Sequence, residues 1–482
     1  MELTKDVHYK QTINDLKGPK GLPLVGNLFQ LDKIKIHNQY EDWADEFGEL
    51  YALNFLGRKV VVSTSPINND FILKHRPTKF RRFSKMAEVI ENVGIDGVFS
   101  AEGDVWKKQR QVTQKALDSK NVKSFFPKIV LVANRLEEYW NTLIASSQNK
   151  NHEIMHDFMR ITVDITTLLA FGYDMNTINN KTDPTQEQIA KIFPKINERI
   201  NSPLPFWKYI KTTSDKEFDQ ALAHIKSFFG DFISNTNQKI EDNPELLENP
   251  SNFLEAMLAS QDKENPYTWE EIFGNLYTML LAGEDSTSNT LSWVSYFLAS
   301  KKDVQIKVQK EISDLLAGNV ELKSFDQLKL FKYTSAVIKE AMRMKPASPN
   351  LFMEANEDVV IGDVLFPKNS LIITQLSKSA RSEDHFENSQ DFLPERWMQK
   401  EEGCPFTGRH NEKALKAFGG GTRTCPGKLL AETEILVFII TMMKNFDIKL
   451  SVPEKEIIEK YAFTMSPKNL FVEITPKEKK FK

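Results

Sequence analysis

The stretch from Thr268 to Ser300, T-W-E-E-I-F-G-N-L-Y-T-M-L-L-A-G-E-D-S-T-S-N-T-L-S-W-V-S-Y-F-L-A-S, constrains the fold more than any other part of this chain. T-W-E-E is a capping box, with Thr268 as cap and Glu271 three residues on. The helix it opens would reach Ser300, a rod of roughly 45–50 Å at 1.5 Å per residue. Both ends are apolar on nearly every side, so the rod must be buried along most of its length. Only a large domain can surround it. The 482 residues, 40% of them hydrophobic and 33 of them Phe, are enough for that. We therefore expect a mainly α chain with smaller β-sheets, an α+β fold built as one large domain over 18–482 behind a polar tail at 1–17.

The middle of the rod breaks the pattern. A-G-E-D-S-T-S, Ala282 to Ser288, puts two acids and three hydroxyls into an apolar helix. Burying them costs a few kcal/mol each unless they are paired or wet. Ser and Thr can bond back to the carbonyl four residues earlier, and Gly283 tolerates a local bend. Such a groove could deliver protons. A helix that merely surfaces here would look the same.

Two further helices carry polar pairs. Gly103 to Leu117 holds Trp106 and Arg110 on one face, able to grip an anion or simply half-buried on an amphipathic helix. Phe331 to Met344 holds Glu340 and Arg343 one turn apart, with Arg396 in F-L-P-E-R-W as a possible third member. Short strands are expected at Tyr51–Phe55, Val60–Ser63, Val359–Ile361, Leu371–Thr374 and Leu470–Ile474.

The second chemical signal is F-G-G-G-T-R-T-C-P-G, Phe418 to Gly427. Pro426 suits the first position of the helix that follows, which would set Cys425 at its N-terminal end, where N–H groups and the dipole favour a thiolate. The glycines allow backbone to approach a flat partner. No second Cys or His at ligand spacing supports zinc, and no local base supports a nucleophile. A structural cysteine, a ligand to another metal and a nucleophile paired in space all stay open on these residues alone.

In this order along the chain, the elements resemble those of the cytochrome P450 family of haem-thiolate monooxygenases. F-x-x-G-x-R-x-C-x-G is met by Phe418, Gly421, Arg423, Cys425 and Gly427. Ala282, Gly283, Asp285, Ser286 and Thr287 meet A-G-x-D/E-T-T with Ser in place of the first Thr. Glu340 and Arg343 meet E-x-x-R, Pro394-Glu395-Arg396 meets P-E-R, and Trp106 and Arg110 meet W-x-x-x-R. The resemblance runs from about Gly18 to Pro476.

It implies a haem b cofactor with Cys425 as the iron ligand. Trp106, Arg110 and Arg423 would hold the propionates, and Phe418 would pack beneath the macrocycle. Ala282 and Gly283 would lie over the haem. Asp285 would relay protons, Ser286 would hydrogen-bond the bound dioxygen, and Thr287 would share that role. A serine at 286 lacks the β-branch that stiffens a threonine and implies a looser clamp. Glu340, Arg343 and Arg396 would form a buried network. Where many relatives carry a propionate-binding Arg, this chain has Glu354, and Arg82 is a candidate to replace it. Substrate contacts would come from Arg82 to Ala101, parts of 193–209, Thr278 to Ser286, Ala347 to Phe352 and Tyr461 to Met465. Phe99, Leu281, Ala282 and Phe463 would form an apolar wall, with Thr278, Ser348 and Asn350 as polar handles. The reaction would be hydroxylation or epoxidation of a medium-to-large lipophilic molecule such as a fatty acid, terpenoid or steroid. A peroxide-driven or isomerising enzyme, or a haem sensor, is the alternative.

The chain carries no flavin or iron–sulfur segment after its last strand, so electrons would come from a ferredoxin or flavodoxin with its reductase. Lys107, Lys108, Lys115, Lys120 and Lys123 together with Lys413, Lys416 and Lys428 would offer it a basic face. The net charge of -3 points to neither nucleic acid nor an anionic surface. Two cysteines, a polar start and no 18-residue apolar window suggest a cytoplasmic protein without a membrane span.

Overall fold

The computed structural model describes residues 9–477 apart from 33, 96, 181–183, 203–204, 263, 317–321 and 399–403. The central helix runs from Trp269 to Ser300 without interruption, capped as its sequence dictates. Thr268 Oγ1 accepts the Glu271 N–H at 3.2 Å, and Glu271 returns the bond to the Thr268 N–H at 2.9 Å. Its closest neighbour is the helix Ile154–Phe171, buried along most of its length. Helices Lys332–Met344 and Lys428–Asn445 pack on it too, as does Gly103–Ala116. One continuous apolar core unites these helices.

The largest sheet has five strands, in the order Leu50–Phe55, Arg58–Ser63, Leu371–Gln375, Asn350–Ala355, Phe80–Arg82. Consecutive side chains of a strand face opposite sides. Val61 accordingly joins a cluster with Ile72 and Phe80, while Val60 and Val62 join Tyr40, Tyr51 and Ile373 on the other face. The sheet thus has apolar cover on both sides. A further strand, Val364–Phe366, pairs with Val359–Ile361 and with Gln11–Thr12, so part of the stretch expected as a tail is an edge strand. The last strand extends to Pro476.

The network of Glu340, Arg343 and Arg396 is wholly buried. Glu340 accepts from Arg343 Nε and Nη2, Arg396 Nε, the Leu393 N–H and Trp397 Nε1, all between 2.8 and 3.0 Å. The guanidiniums spend their other N–H groups on the carbonyls of Ala380, Glu387, Asn388, Ser389 and Asp391. The network pins the irregular segment 380–397 to the helix Lys332–Met344. That segment has little regular structure to hold it otherwise.

Candidate active site

One cavity gathers most of the chemistry marked in the sequence. The central helix supplies one wall with Thr278, Leu281, Ala282, Gly283, Asp285, Ser286 and Thr287. The cysteine turn adds Phe418, Arg423, Cys425 and Gly427 to the lining, and the helix Gly103–Ala116 brings Trp106 and Arg110. Phe99, Ser348 and Phe463 complete the list of expected residues found there, with the Phe99 and Phe463 rings 5.9 Å apart.

Asn350 departs from expectation. It is buried beside Tyr461 and is not among the cavity residues. The neighbouring Leu351 lines the cavity instead, because alternate side chains of the strand Asn350–Ala355 point to opposite faces. Pro426 departs too: the helix begins at Lys428 with Gly427 as its cap, so Pro426 lies ahead of the first turn rather than in it. The cysteine is still presented toward that helix start. The Gly427 backbone, Arg110 and Lys428 pull its thiol pKa down, while burial pushes it up more strongly.

The glycines have more specific duties than approach to a flat partner. Gly421 has φ +66°, and a Cβ there would sit 2.2 Å from the Leu73 carbonyl oxygen. That contact locks the cysteine turn to the helix Pro66–Lys74. Gly283 both faces the cavity and touches Thr166 of the neighbouring helix, where a Cβ would lie 2.8 Å from Oγ1. It lets the two helices approach closely.

Arginines dominate one end of the cavity. Arg76, Arg82, Arg110 and Arg423 all line it. Glu102 is the carboxylate that acts on this group, accepting from Arg423 Nη2 and from the Arg82 backbone N–H. Arg82 Nε also donates to the Phe99 carbonyl at 3.0 Å, and its guanidinium stacks 3.7 Å over the Phe99 ring. Burial and the nearby Arg76 and Arg423 charges push the Arg82 pKa down to about 9. Burial pushes Arg423 down to about 10. Arg76 Nε and Nη2, Trp106 Nε1, Arg110 Nε, and Arg423 Nε and Nη1 are buried with no hydrogen-bond partner among the described residues. So many unmatched donors around one carboxylate call for a buried dianion. Arg76 had no signal in the sequence beyond being an arginine. Glu354 is engaged elsewhere, with Arg58, Arg81 and Ser84.

On the central helix, Ser286 Oγ donates to the Ala282 carbonyl at 2.6 Å and Thr290 Oγ1 to the Ser286 carbonyl at 2.7 Å. The Thr287 hydroxyl has no such bond among the described residues, although Thr287 is buried and lines the cavity. Burial pushes Asp285 up to about 6 against a hydrogen bond from Thr464 Oγ1 at 3.4 Å. Thr464 in turn accepts from Asn289 Nδ2 at 2.9 Å. Thr464 lies within the expected segment Tyr461 to Met465, but its link to Asp285 required the fold. Glu284 is pushed up to about 8 by burial and then by the Asp285 charge, and it is not among the cavity residues. Of the two adjacent acids, Asp285 is the one that meets the cavity.

No helix among the described residues is long and apolar enough to cross a membrane. Several lysines expected to form a basic face are paired: Lys107 with Asp104, Lys108 with Glu271, Lys123 with Asp326, Lys416 with Asp70 and Lys428 with Glu432. Lys115, Lys120 and Lys413 are exposed and carry no ion pair among the described residues.

Comparison with known proteins gives the same reading. The family model for cytochrome P450 matches residues 16–474. The chain is 28% identical over 489 residues to a probable cytochrome P450 513F1 of Dictyostelium discoideum, covering 94% of this chain and 93% of that protein. It is 26% identical over 471 residues to cytochrome P450 94A1 of Vicia sativa, covering 92% and 87%. It is 26% identical over 474 residues to a self-sufficient cytochrome P450 monooxygenase, CYP505E3, of Phanerodontia chrysosporium; that match takes in 96% of this chain but spans only 43% of the relative's length. Members of the family bind haem b through a cysteine thiolate. The residues present fit that group, with one cysteine facing the cavity and a cluster of unmatched guanidinium and indole donors suited to two carboxylates. With the cysteine turn, the acid–hydroxyl helix and the buried Glu–Arg–Arg network all in place, the chain belongs to the cytochrome P450 family, the haem-thiolate monooxygenases.

Proposed function

We propose that this chain inserts one oxygen atom of dioxygen into a C–H or C=C bond of a medium-to-large lipophilic small molecule, a fatty acid, terpenoid or steroid, as a single catalytic domain over 18–482. The observation that carries this reading is that Cys425 and Asp285 line one and the same cavity. Haem held by the Cys425 thiolate would supply the electron and dioxygen chemistry.

The residues of the chain have separable tasks. Cys425 would bind the metal as a thiolate, favoured by the Gly427 backbone and the Arg110 charge. Arg76, Arg82, Arg110, Arg423 and Trp106 would hold the two propionates and so orient the ring. Phe418, which lines the cavity beside Cys425, would pack against the ring. Ser286 is held by its bond to the Ala282 carbonyl, which fixes its rotamer despite the missing β-branch. Asp285, held to Thr464 and pushed up to about 6, holds a proton in slightly acid solution and can pass it on near neutrality. Phe99, Leu281, Ala282 and Phe463 present apolar surface to the substrate, and Thr278 and Ser348 add hydroxyls.

Electrons would come from a separate ferredoxin or flavodoxin in the cytoplasm. Pairing of five lysines narrows its basic contact to Lys115, Lys120 and Lys413. Reversing those three charges should slow reduction most at low salt, and an equal effect at all ionic strengths would exclude electrostatic docking there.

The test of the main reading is the spectrum of the reduced protein with carbon monoxide. Thiolate ligation gives a strongly red-shifted Soret band. A histidine-type band, or failure to bind haem, refutes the proposal. Titration of candidate lipids against the haem spin-state shift then identifies the substrate.

A further inference from the structure

Asn275 ties the central helix to two other parts of the cavity wall. It is only 1% exposed and lines the cavity itself. Its Nδ2 donates to the Glu271 carbonyl, one turn back, at 2.8 Å. Its Oδ1 accepts the Val98 backbone N–H at 3.0 Å and lies 3.5 Å from the Thr113 hydroxyl on the helix Gly103–Ala116. Val98 belongs to residues 97–101, which form neither helix nor strand. A buried backbone N–H in such a segment has no ladder to satisfy it and needs another acceptor. Asn275 is that acceptor.

Gly97 docks the same segment by close contact. A Cβ there would lie 2.2 Å from Thr278 Oγ1 and 2.3 Å from the Gly274 carbonyl oxygen. The backbone at 97 therefore rests directly on the turn of the central helix that carries Asn275. Two residues later comes Phe99, which lines the cavity. Its carbonyl accepts from Arg82 Nε, and its ring carries the Arg82 guanidinium. Phe99 is thus held from two sides, by the central helix through Val98 and by Arg82 at the arginine end of the cavity. A ring fixed before a ligand arrives offers a defined surface and loses little freedom on binding.

We infer that Asn275 is a positioning residue for substrate selection. By fixing Val98 to the central helix it sets where the Phe99 ring stands, and so how well the cavity takes flat or aromatic lipophilic molecules. Oδ1 and Nδ2 are both engaged by protein, so Asn275 acts through Phe99 and not on the substrate directly. The inference deepens the reading above, because it rests on Phe99 being part of the substrate wall; its first test does not.

That test is amide hydrogen exchange, followed by mass spectrometry, on the haem-loaded full chain. Asn275→Ala should speed exchange in residues 97–101 about 10-fold or more and leave residues 287–300 unchanged. Asn275→Asp, which keeps an acceptor for Val98, should recover part of the protection. Unchanged exchange in 97–101 overturns the inference. The second test titrates two nitrogen ligands of haem iron, imidazole and 4-phenylimidazole, by the Soret shift. Asn275→Ala should weaken 4-phenylimidazole about 5-fold or more, the worth of an aromatic contact, and change imidazole by less than about 2-fold. Gly97→Ala leaves the Asn275 side chain intact but forces the backbone off the helix, and it should give the same split. In a Phe99→Ala background, Asn275→Ala should add little further loss. Equal weakening of both ligands, or a loss undiminished in the Phe99→Ala background, overturns the inference. Should Asn275→Ala not fold, Asn275→Ser and Gly97→Ala carry the same comparisons. If neither ligand shifts the Soret band of the wild type, the haem reading fails and the selection claim with it, while the exchange result still decides whether Asn275 anchors the segment.

Discussion

Replacing Glu340 by Gln removes one charge and almost no volume, and its cost can be worked out from the network. The Oε1 atom accepts three N–H groups, from Arg343 Nη2, Arg396 Nε and the Leu393 backbone. Oε2 accepts two, from Arg343 Nε and Trp397 Nε1. The better orientation of the amide keeps its oxygen on the crowded side. Its NH2 then faces two donors at 2.8–2.9 Å. Two hydrogen bonds are lost and two buried donors are left unpaired, at about 1–3 kcal/mol each. The two guanidiniums, at zero exposure, also lose their counter-charge. Breaking a buried ion pair in this way costs about 3–5 kcal/mol. The expected result is a loss of that size in urea unfolding of the haem-loaded protein, followed by far-ultraviolet dichroism. Faster proteolysis within 380–397, the segment the network pins, should accompany it. A loss below about 1 kcal/mol with unchanged proteolysis would refute the claim that this network holds the segment.

Other expectations follow from the cavity. Asp285→Asn should lower product per electron at every pH, yet leave the protein no less stable above pH 6. The sign follows from the raised pKa: the folded state disfavours the charged carboxylate, so the native group loses stability as pH rises from 3.8 through about 6, by no more than about 3 kcal/mol. Asn carries no such penalty, and thermal midpoints of the two proteins at pH 5 and pH 8 check this. Arg82→Leu should act in opposite directions on the two forms. It relieves repulsion with Arg76 and Arg423 in the haem-free protein, raising its unfolding midpoint. It also weakens haem retention, measured by transfer to apomyoglobin, by about 10-fold or more. Gly421→Ala should place a Cβ against the Leu73 carbonyl in a left-handed conformation and cost more than about 1–2 kcal/mol, with a fall in haem content on purification.

Much of the fold was legible because its signals are local. The T-W-E-E cap and the apolar rod fixed the central helix to within a residue. The short strand expected at Val60–Ser63 falls within the strand Arg58–Ser63, and the E-x-x-R spacing brought Glu340 and Arg343 together on one helical turn. The misses have geometric causes. Asn350 was one residue out of phase with the cavity face of its strand. The lysines formed a cluster in sequence, but three of the eight met acids from distant segments, Glu271, Asp326 and Asp70, and two more met acids within one helical turn. Arg76 carries no motif, and only packing gathers it with Arg82 and Arg423 around Glu102.

The sequence alone determined the kind of chemistry: a cysteine in a glycine turn, an acid and hydroxyls inside an apolar helix, and a glutamate–arginine pair, in an order that one family uses. Those features depend on spacings of a few residues, and local chain geometry is enough to interpret them. The tertiary structure decided what each group faces. It turned Asp285 rather than Glu284 to the cavity and bound Ser286 back to its helix, while the Thr287 hydroxyl has no hydrogen bond among the described residues. Whether a carboxyl meets a cation, a hydroxyl or only hydrocarbon depends on segments that can be more than a hundred residues away, and that contact sets which form of it, charged or neutral, the protein holds.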